Sequence, residues 1–272
     1  MKSLLLLCLL PFVASFGSPV QEAGNEEQPP TLPALQFGPE QAWLSLGVRL
    51  EVTNDFLEFL LVNMHGGVHE SLFSTDVEAE VLNTALLTLG VAPGQNARWE
   101  AIDPEQGELT GVGQSGPRQA GQVAGRDRYR VVPPQGDGLY LYAAWKEGDE
   151  TFFFRIEDLV RDLDRGRTLR RHALVYLGSF FSNGKPEEPP RFAAAVEGNL
   201  IYLSLLKRGA ALITTAVPEC DKQSNWLANS WLLPERGSSM RLVVSRTPLV
   251  SMPAEVRAGL PQLPAQEAEP RD

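Results

Sequence analysis

The sequence has little cysteine and little histidine, and the shortage of cysteine excludes several kinds of site. Its 272 residues include two cysteines, Cys8 and Cys220, and three histidines. Cys8 lies in an apolar run that we predict to be removed, which leaves Cys220 alone. A lone cysteine forms neither an intrachain disulfide nor a four-cysteine zinc or iron–sulfur site. We interpret Cys220 as a small buried hydrophobic residue, with intermolecular pairing as the alternative.

Basic residues are also outnumbered by acidic ones. The net charge is -10 and the sequence pI is about 4.9. An acidic surface is the opposite of what binds nucleic acid or an anionic bilayer. The expected partner is therefore a protein, a glycan or a small ligand. Beyond the first residues no apolar run is long enough for a transmembrane helix.

The first residues have the pattern of a secretory signal. Lys2 is followed by the apolar run Leu4–Leu10, and small residues follow at Ala14, Ser15, Gly17 and Ser18. The run is short and Pro11 interrupts it, so it resembles a cleavable signal more than a core helix. We predict a signal peptide over residues 1–18 and an exported protein, periplasmic or extracellular.

Composition divides the rest of the chain. Residues 19–41 are rich in Glu, Gln, Pro and Gly, and predict a disordered linker. Residues 251–272 predict a disordered, acidic, Pro-rich tail, which leaves a folded domain over residues 42–250. Within it, residues 103–125 are dense in Gly and Gln and predict a disordered surface loop.

Strand-like patterns dominate the predicted domain. Two hairpins are expected: residues 46–52 with 56–62, and residues 139–145 with 151–156 across the turn Lys146–Asp149. Further strands are expected over residues 126–132, 173–181, 199–205 and 240–245. The pattern lacks regular strand–helix alternation and favours an α+β fold with a mostly antiparallel sheet.

One amphipathic helix is expected over residues 77–89, packed on a face of that sheet. Its apolar residues recur at helical spacing. Thr75 and Glu78 have the spacing of a capping box, Gly90 suits the position after the helix, and Pro93 prevents continuation. A weaker helical turn is expected over residues 156–163.

Several segments together resemble the YdjY-domain proteins, which are exported proteins common in planctomycete-type bacteria. The resemblance covers roughly residues 46–248, and its most specific parts are the His-Glu-Ser and Leu-Gly-x-x-Pro-Gly pieces. It rests on Leu57–Leu60, His69–Leu72, Leu82–Leu87, Gly90–Gly94, Glu157–Asp162, Leu177–Phe180, Gly198–Ile201 and Met240–Ser245. Leu159 stands where the family often has Trp. The resemblance implies no particular reaction, and the cysteine motifs of some relatives are missing here.

The Gly-rich stretch from His65 to Ser71 is the main candidate site. His69, Glu70 and Ser71 are the predicted ligand-binding residues, expected beside the helix N-terminus. In the alternative, His65, His69 and Glu70 hold a divalent metal such as zinc, with Asp76 as a further oxygen donor, in a site that could be hydrolytic. The spacing does not match the His-Glu-x-x-His signature. A purely structural role, with the polar groups pinning the loop, is the favoured interpretation of these side chains.

Other groups carry weaker hypotheses. Ser71 with His69 could form a nucleophile and base, although no nucleophile elbow is present. The arginine-rich run from Arg161 to His172 is interpreted as a solvated face, with anion binding as the alternative. Trp226 and Trp231 could border a groove. The function expected from the sequence is a non-catalytic binding or envelope-associated domain without a cofactor, and whether the chain is an enzyme stays open.

Overall fold

The structure is a computed structural model that describes residues 35–101, 129–182, 189–207 and 209–263. The predicted signal over residues 1–18, most of the predicted linker and the loop over residues 103–125 lie outside these ranges. Numbered along the chain, the strands described are β1 (Leu35–Phe37), β2 (Trp43–Leu50), β3 (Phe59–Asn63), β4 (Ser71–Thr75), β5 (Arg98–Ala101), β6 (Tyr129–Val132), β7 (Gly138–Glu147), β8 (Glu150–Arg155), β9 (Val160–Asp162), β10 (Arg167–Thr168), β11 (Leu174–Tyr176), β12 (Phe181–Ser182), β13 (Arg191–Phe192), β14 (Asn199–Tyr202), β15 (Ile213–Thr214), β16 (Trp226–Ala228), β17 (Ser239–Ser245) and β18 (Gln262–Leu263).

Helices are few and short. The α-helices described are α1 (Ala79–Thr88), α2 (Ala193–Glu197) and α3 (Ala254–Ala258). Single turns of 3-10 helix cover Pro39–Gln41, Val68–Glu70, Ile156–Leu159, Pro218–Asp221 and Gln223–Asn225. Within the described ranges, no helix has the length and apolar character needed to cross a membrane.

Eight strands form a closed barrel in the order β2–β17–β7–β11–β15–β14–β3–β4. The pairing of β4 with β2, through Arg49↔Ser74 and Leu50↔Phe73, closes the ring. The neighbours β14–β15 and β3–β4 are parallel, and the other pairs of the ring are antiparallel. Closure gives each barrel strand a partner on both sides and leaves no exposed edge.

Alternation of side chains along the strands explains the barrel core. In β2, Leu44, Leu46, Val48 and Leu50 belong to the main core cluster, whereas the intervening residues point outward. The same period of two places alternate residues of β7 and β17 in that cluster. Each such leucine or valine contributes roughly 1.5–3 kcal/mol when it is buried, before the loss of chain entropy is counted.

The expected α+β fold is wrong. The described part of the chain is mostly β, with an eight-stranded closed barrel and 19% helix. The physical reason is that a half-buried strand in an open sheet and a strand in a small barrel have the same period of two. Periodicity therefore identified strands, but it did not show that β2 pairs with β4 and closes the barrel.

The two predicted hairpins had different outcomes. The β7–β8 hairpin is confirmed, with Glu147 opposite Glu150 across a tight turn that contains Gly148. The hairpin of residues 46–52 with 56–62 is wrong, because β3 pairs with β14 and β4 rather than with β2. The weak helical turn at 156–163 is a 3-10 turn followed by β9.

The predicted helix is present as α1, but its predicted cap is wrong. Thr75 is the last residue of β4; its hydroxyl donates to the carbonyl of Gly47 at 2.8 Å and accepts from the amide of Val77 at 3.2 Å. Glu78 is the N-cap residue and makes no side-chain capping bond. Leu82, Ala85 and Leu86 join the barrel's own core cluster, so α1 does not lie on an open sheet.

The barrel's outer surface carries two smaller apolar clusters. In one, Trp43 and Tyr142 are covered by Met252 and Val256 of the C-terminal segment. That segment contains α3, and β18 pairs with β7, so ordered structure continues beyond the predicted boundary at residue 250. At the other end, β1 and a 3-10 turn occupy residues 35–41 of the predicted linker.

Candidate functional site

The predicted site lies in the connection between the parallel strands β3 and β4, here called the glycine turn (residues 64–71). Because the strands are parallel, this connection runs back along the outside of the barrel, and Val68 packs on the second outer cluster with Phe59 and Tyr202. A Cβ at Gly66 would lie 2.6 Å from the carbonyl oxygen of Gly198. This close approach of two backbones requires glycine.

Most polar groups of the glycine turn are bonded within the protein. His65 Nε2 lies 3.0 Å from the carbonyl oxygen of Ala195, and the amide of Gly67 donates to Asn199 Oδ1 at 2.9 Å. Ser71 is fully buried, and its hydroxyl donates to the carbonyl of Phe73 at 2.8 Å. These bonds are those expected of a structural loop.

His65 and His69 are exposed and Glu70 is half-buried, and the structure adds the half-buried Glu58 to them. The amide of Glu58 donates to the carbonyl of Glu70 at 2.9 Å. Burial raises the pKa of Glu58, the charge of Glu70 raises it further, and His69 opposes the rise. The turn and Glu58 therefore present two neighbouring carboxyl groups, those of Glu58 and Glu70, and the exposed imidazoles of His65 and His69.

The structure separates other residues that the sequence grouped. Ser71 is the first residue of β4 and Thr75 is the last. The length of this strand, about 13 Å at 3.3 Å per residue, therefore separates Ser71 from the segment that leads into α1. The site is thus not beside the helix N-terminus. Within the described ranges, no group of three or more His, Cys, Asp or Glu side chains is placed to hold a metal ion. His65, His69 and Glu70 form no such group.

The arginine-rich run is largely neutralised. Arg165 pairs with Asp162, Arg170 with Glu219 and Arg171 with Asp158. His172, expected at the surface, is instead packed beside the buried Glu157, whose carboxylate accepts from its backbone amide at 3.0 Å. Burial lowers the pKa of His172.

The remaining sequence candidates are mostly core. Cys220 is fully buried, and burial raises the pKa of its thiol to about 12, which confirms the hydrophobic interpretation. Trp145 stacks on Phe152 inside the core, with ring centroids 5.1 Å apart. Trp226 is buried and Trp231 is 85% exposed, so these two do not form the walls of one groove.

A cavity of about 280 Å³ lies away from the glycine turn and is called here the Trp99 pocket. It lies where the β5–β6 ribbon meets the segments that follow β14 and β15. Its walls combine two aromatic rings with an amine, a carboxylate and an amide. They are Trp99, Tyr129, Leu205, Leu206, Lys207, Asp221 and Gln223.

The polar groups of the Trp99 pocket are held around its rings. The indole Nε1 of Trp99 donates to Asp221 Oδ1 at 2.7 Å, which fixes the ring's orientation. The Lys207 ammonium lies 5.3 Å from the centroid of the Trp99 ring and 5.4 Å from that of Tyr129, at cation–π distance from both. The Tyr129 side chain remains 49% exposed.

A second cavity, of about 390 Å³, lies at the β2–β4 seam and is lined by Met64, Arg49, Asp76 and neighbouring strand residues. Arg49 is 3.7 Å from Glu51, so its charge is partly balanced. This cavity has no aromatic ring in its lining. It offers fewer specific contacts than the Trp99 pocket.

Sequence reasoning missed the Trp99 pocket because its residues come from distant segments. The sequence predicts a strand over residues 126–132, but it predicts neither an element nor a ligand site around Trp99. The one usable signal was that Trp99 and Tyr129 flank the Gly-rich loop. β5 and β6 pair antiparallel, with Trp99 opposite Val131 and Ala101 opposite Tyr129, which places both rings on the same ribbon.

Comparison with known proteins identifies a family. No curated protein and no solved structure matches this chain. The model of the YdjY domain matches residues 51–245, which include the barrel strands from β3 to β17, the glycine turn and Trp99. The match agrees with the resemblance seen in the sequence and covers more than half of the chain. The chain therefore belongs to the YdjY domain family.

Proposed function

We propose that this chain is an exported, non-catalytic binding domain and that the Trp99 pocket holds its ligand. One observation carries the proposal: a partly exposed indole, fixed by Asp221, stands beside the Lys207 ammonium at a cavity of about 280 Å³. Aromatic faces with a few convergent polar groups are the usual lining of small-molecule sites. The cavity is small and suits a ligand the size of a sugar ring.

A saccharide is the ligand class that suits these walls best. The faces of Trp99 and Tyr129 can cover the apolar C–H face of a sugar ring. Asp221 has a second carboxylate oxygen beyond the one that accepts from Trp99, and Gln223 carries both a donor and an acceptor. These groups are suited to hydroxyl groups at the edge of such a ring.

The glycine turn is the second candidate, with His69, Glu70 and Ser71 as its ligand contacts. Its support is the exposure of His69 and the pair of carboxyl groups from Glu58 and Glu70. Against it, the Ser71 hydroxyl is buried and bonded to Phe73. No observation favours the metal alternative within the described ranges.

Tryptophan fluorescence tests the proposal. Five tryptophans are present, of which Trp43, Trp145 and Trp226 are buried and Trp231 is exposed outside the pocket. In a Trp231→Phe variant of the full chain, Trp99 is the partly exposed reporter. Titration with short oligomers of glucose, N-acetylglucosamine and galacturonate is expected to change its emission in a saturable way with at least one of them.

Matched variants locate the binding site. Tyr129→Ala is expected to weaken binding at least fivefold, whereas His69→Ala is expected to leave it unchanged. Loss of binding in His69→Ala alone would move the site to the glycine turn, and no saturable signal with any oligomer would contradict the proposal. Protein for these titrations is collected from the periplasm of an expressing bacterium. If the chain is exported and its signal is removed, mass spectrometry of this protein is expected to show a mass without the predicted signal.

A further inference from the structure

Lys207 stands out among the basic residues around the Trp99 pocket because no carboxylate of the described residues balances its charge. Its neighbours Lys222, Arg170 and Arg130 pair with Asp164, Glu219 and Glu100. Within the described ranges, the Lys207 ammonium has the two rings as its partners and no ion pair. Ring faces attract the cation but accept no full hydrogen bond, so its three N–H donors remain available to a ligand.

The acid of the pocket is placed differently. One carboxylate oxygen of Asp221 accepts a hydrogen bond from the indole N–H of Trp99, so this oxygen is already used by the aromatic wall of the pocket. Lys207 lies over the ring face of Trp99, whereas Asp221 binds the nitrogen at the edge of the same ring. One side of the wall thus attracts an anionic group and the other accepts from hydroxyl groups.

From this arrangement we infer that the ligand is an acidic saccharide, of the hexuronate type. The inference rests on the proposed function and narrows its ligand class. The sugar carboxylate binds the Lys207 ammonium, the sugar ring lies beside Lys207 against the parts of Trp99 and Tyr129 that the lysine leaves uncovered, and hydroxyl groups donate to Asp221. A charge-assisted hydrogen bond from Lys207 to the carboxylate gives an acidic sugar a higher affinity than its neutral counterpart.

The overall charge of the chain opposes this ligand. With a net charge of -10, the protein repels an anion at long range. Added salt screens that repulsion over about 8–10 Å but reaches the short ammonium–carboxylate contact much less. Affinity for an acidic saccharide is therefore expected to change little between low and physiological salt, unlike binding to a broad basic patch.

The experiment compares two trisaccharides of the same linkage and ring stereochemistry, trigalacturonate and its neutral galactose counterpart. The full chain is titrated with each by isothermal calorimetry at neutral pH. We expect the acidic trisaccharide to bind about tenfold more tightly, the size of effect given by one bond between charged groups. Lys207→Gln is expected to abolish this preference while neutral binding remains, and Lys207→Arg is expected to retain it.

Lys222→Gln is the matched control because it removes the same charge next to Asp221 without lining the pocket. The tenfold preference is expected to survive in that variant. Equal binding of both trisaccharides by the unaltered chain, or a preference that persists in Lys207→Gln, would overturn the inference while leaving the proposed function intact. Absence of binding by either trisaccharide and by the other oligomers would instead count against the proposed function itself.

Discussion

The glycine turn and the Trp99 pocket differ in where their polar groups are directed. The turn contains the residues most often linked to chemistry, yet its His65, Gly67 and Ser71 groups are bonded to the protein's own backbone and side chains. The pocket is built of less conspicuous residues, but the Lys207 ammonium remains beside a cavity without an ion-pair partner in the described part of the chain. We therefore base the proposed ligand site on unused bonding capacity rather than on residue type.

The two regions also differ in what holds them in place. The turn is packed on the outer cluster of Phe59 and Tyr202 and lies against the backbone at Gly198. Lys207 and Tyr129, in contrast, are exposed side chains at the rim of a ribbon. Substitutions in the turn should therefore change the free energy of unfolding, and substitutions of these rim residues should change binding.

The largest effect on stability is expected from Gly66→Ala. The added Cβ would lie 2.6 Å from both Gly198 O and Asn199 Oδ1, so the backbone has to move. We expect a loss of about 2–3 kcal/mol, as for an overpacked core position, measured as a lower urea midpoint. Gly47→Ala is the control, because its Cβ would meet only Arg241 at 3.9 Å. Equal midpoints for the two variants would show that the turn is not tightly held.

A smaller loss is expected from Ser71→Ala. The variant removes the buried hydroxyl that donates to Phe73 O at 2.8 Å and leaves the backbone unchanged. The net value of such a bond is about 1 kcal/mol. Urea unfolding should show this loss while saccharide titrations stay as in the unaltered chain. A loss of binding with unchanged stability would assign Ser71 to a ligand site instead.

The smallest effect is expected from Glu58→Gln, and it depends on pH. Burial and the charge of Glu70 raise the folded pKa of Glu58 above its ordinary value, so the folded chain favours the protonated form. Its stabilising contribution is complete below that value and is lost as the pH rises through the raised pKa. At pH 7 Glu58→Gln should therefore stabilise the fold slightly, by roughly 0.5 kcal/mol because solvent screens the pair.

The gain in Glu58→Gln should shrink as the pH falls toward 4, where Glu58 in the unaltered chain is itself protonated. Urea midpoints measured at several pH values test this dependence. Glu255→Gln serves as a control because Glu255 lies in the exposed first turn of α3, away from the glycine turn. A gain that is the same at pH 4 and pH 7 would mean that Glu70 and burial do not act on Glu58 as described.

Local features of the fold were predictable from the sequence, and long-range pairings were not. The β7–β8 hairpin follows from its turn residues, and α1 follows from the spacing of Leu82, Ala85 and Leu86. The β2–β4 pairing that closes the barrel cannot be recognised from the hydrophobic periodicity of either strand. The Thr75 hydroxyl was assigned to a helix cap, whereas tertiary contact directs it to Gly47.

The same limit applies to the site, but it does not apply to the C-terminal segment. Trp99, Lys207 and Asp221 come from three separate segments, so no local motif joins them. In the C-terminal segment a signal did exist. Met252, Val256 and Leu260 recur at helical spacing among prolines, and they pack on Trp43 and its neighbours.

The position of β17 determines when the barrel can form during synthesis. Its residues pair along one side with β2 and along the other with β7, so the last long strand to be made lies between two earlier ones. Until residue 245 has emerged, both of those strands expose an unpaired edge, which invites association with other chains. A chain arranged in this way completes its barrel only after the whole stretch from β2 to β17 is free to move.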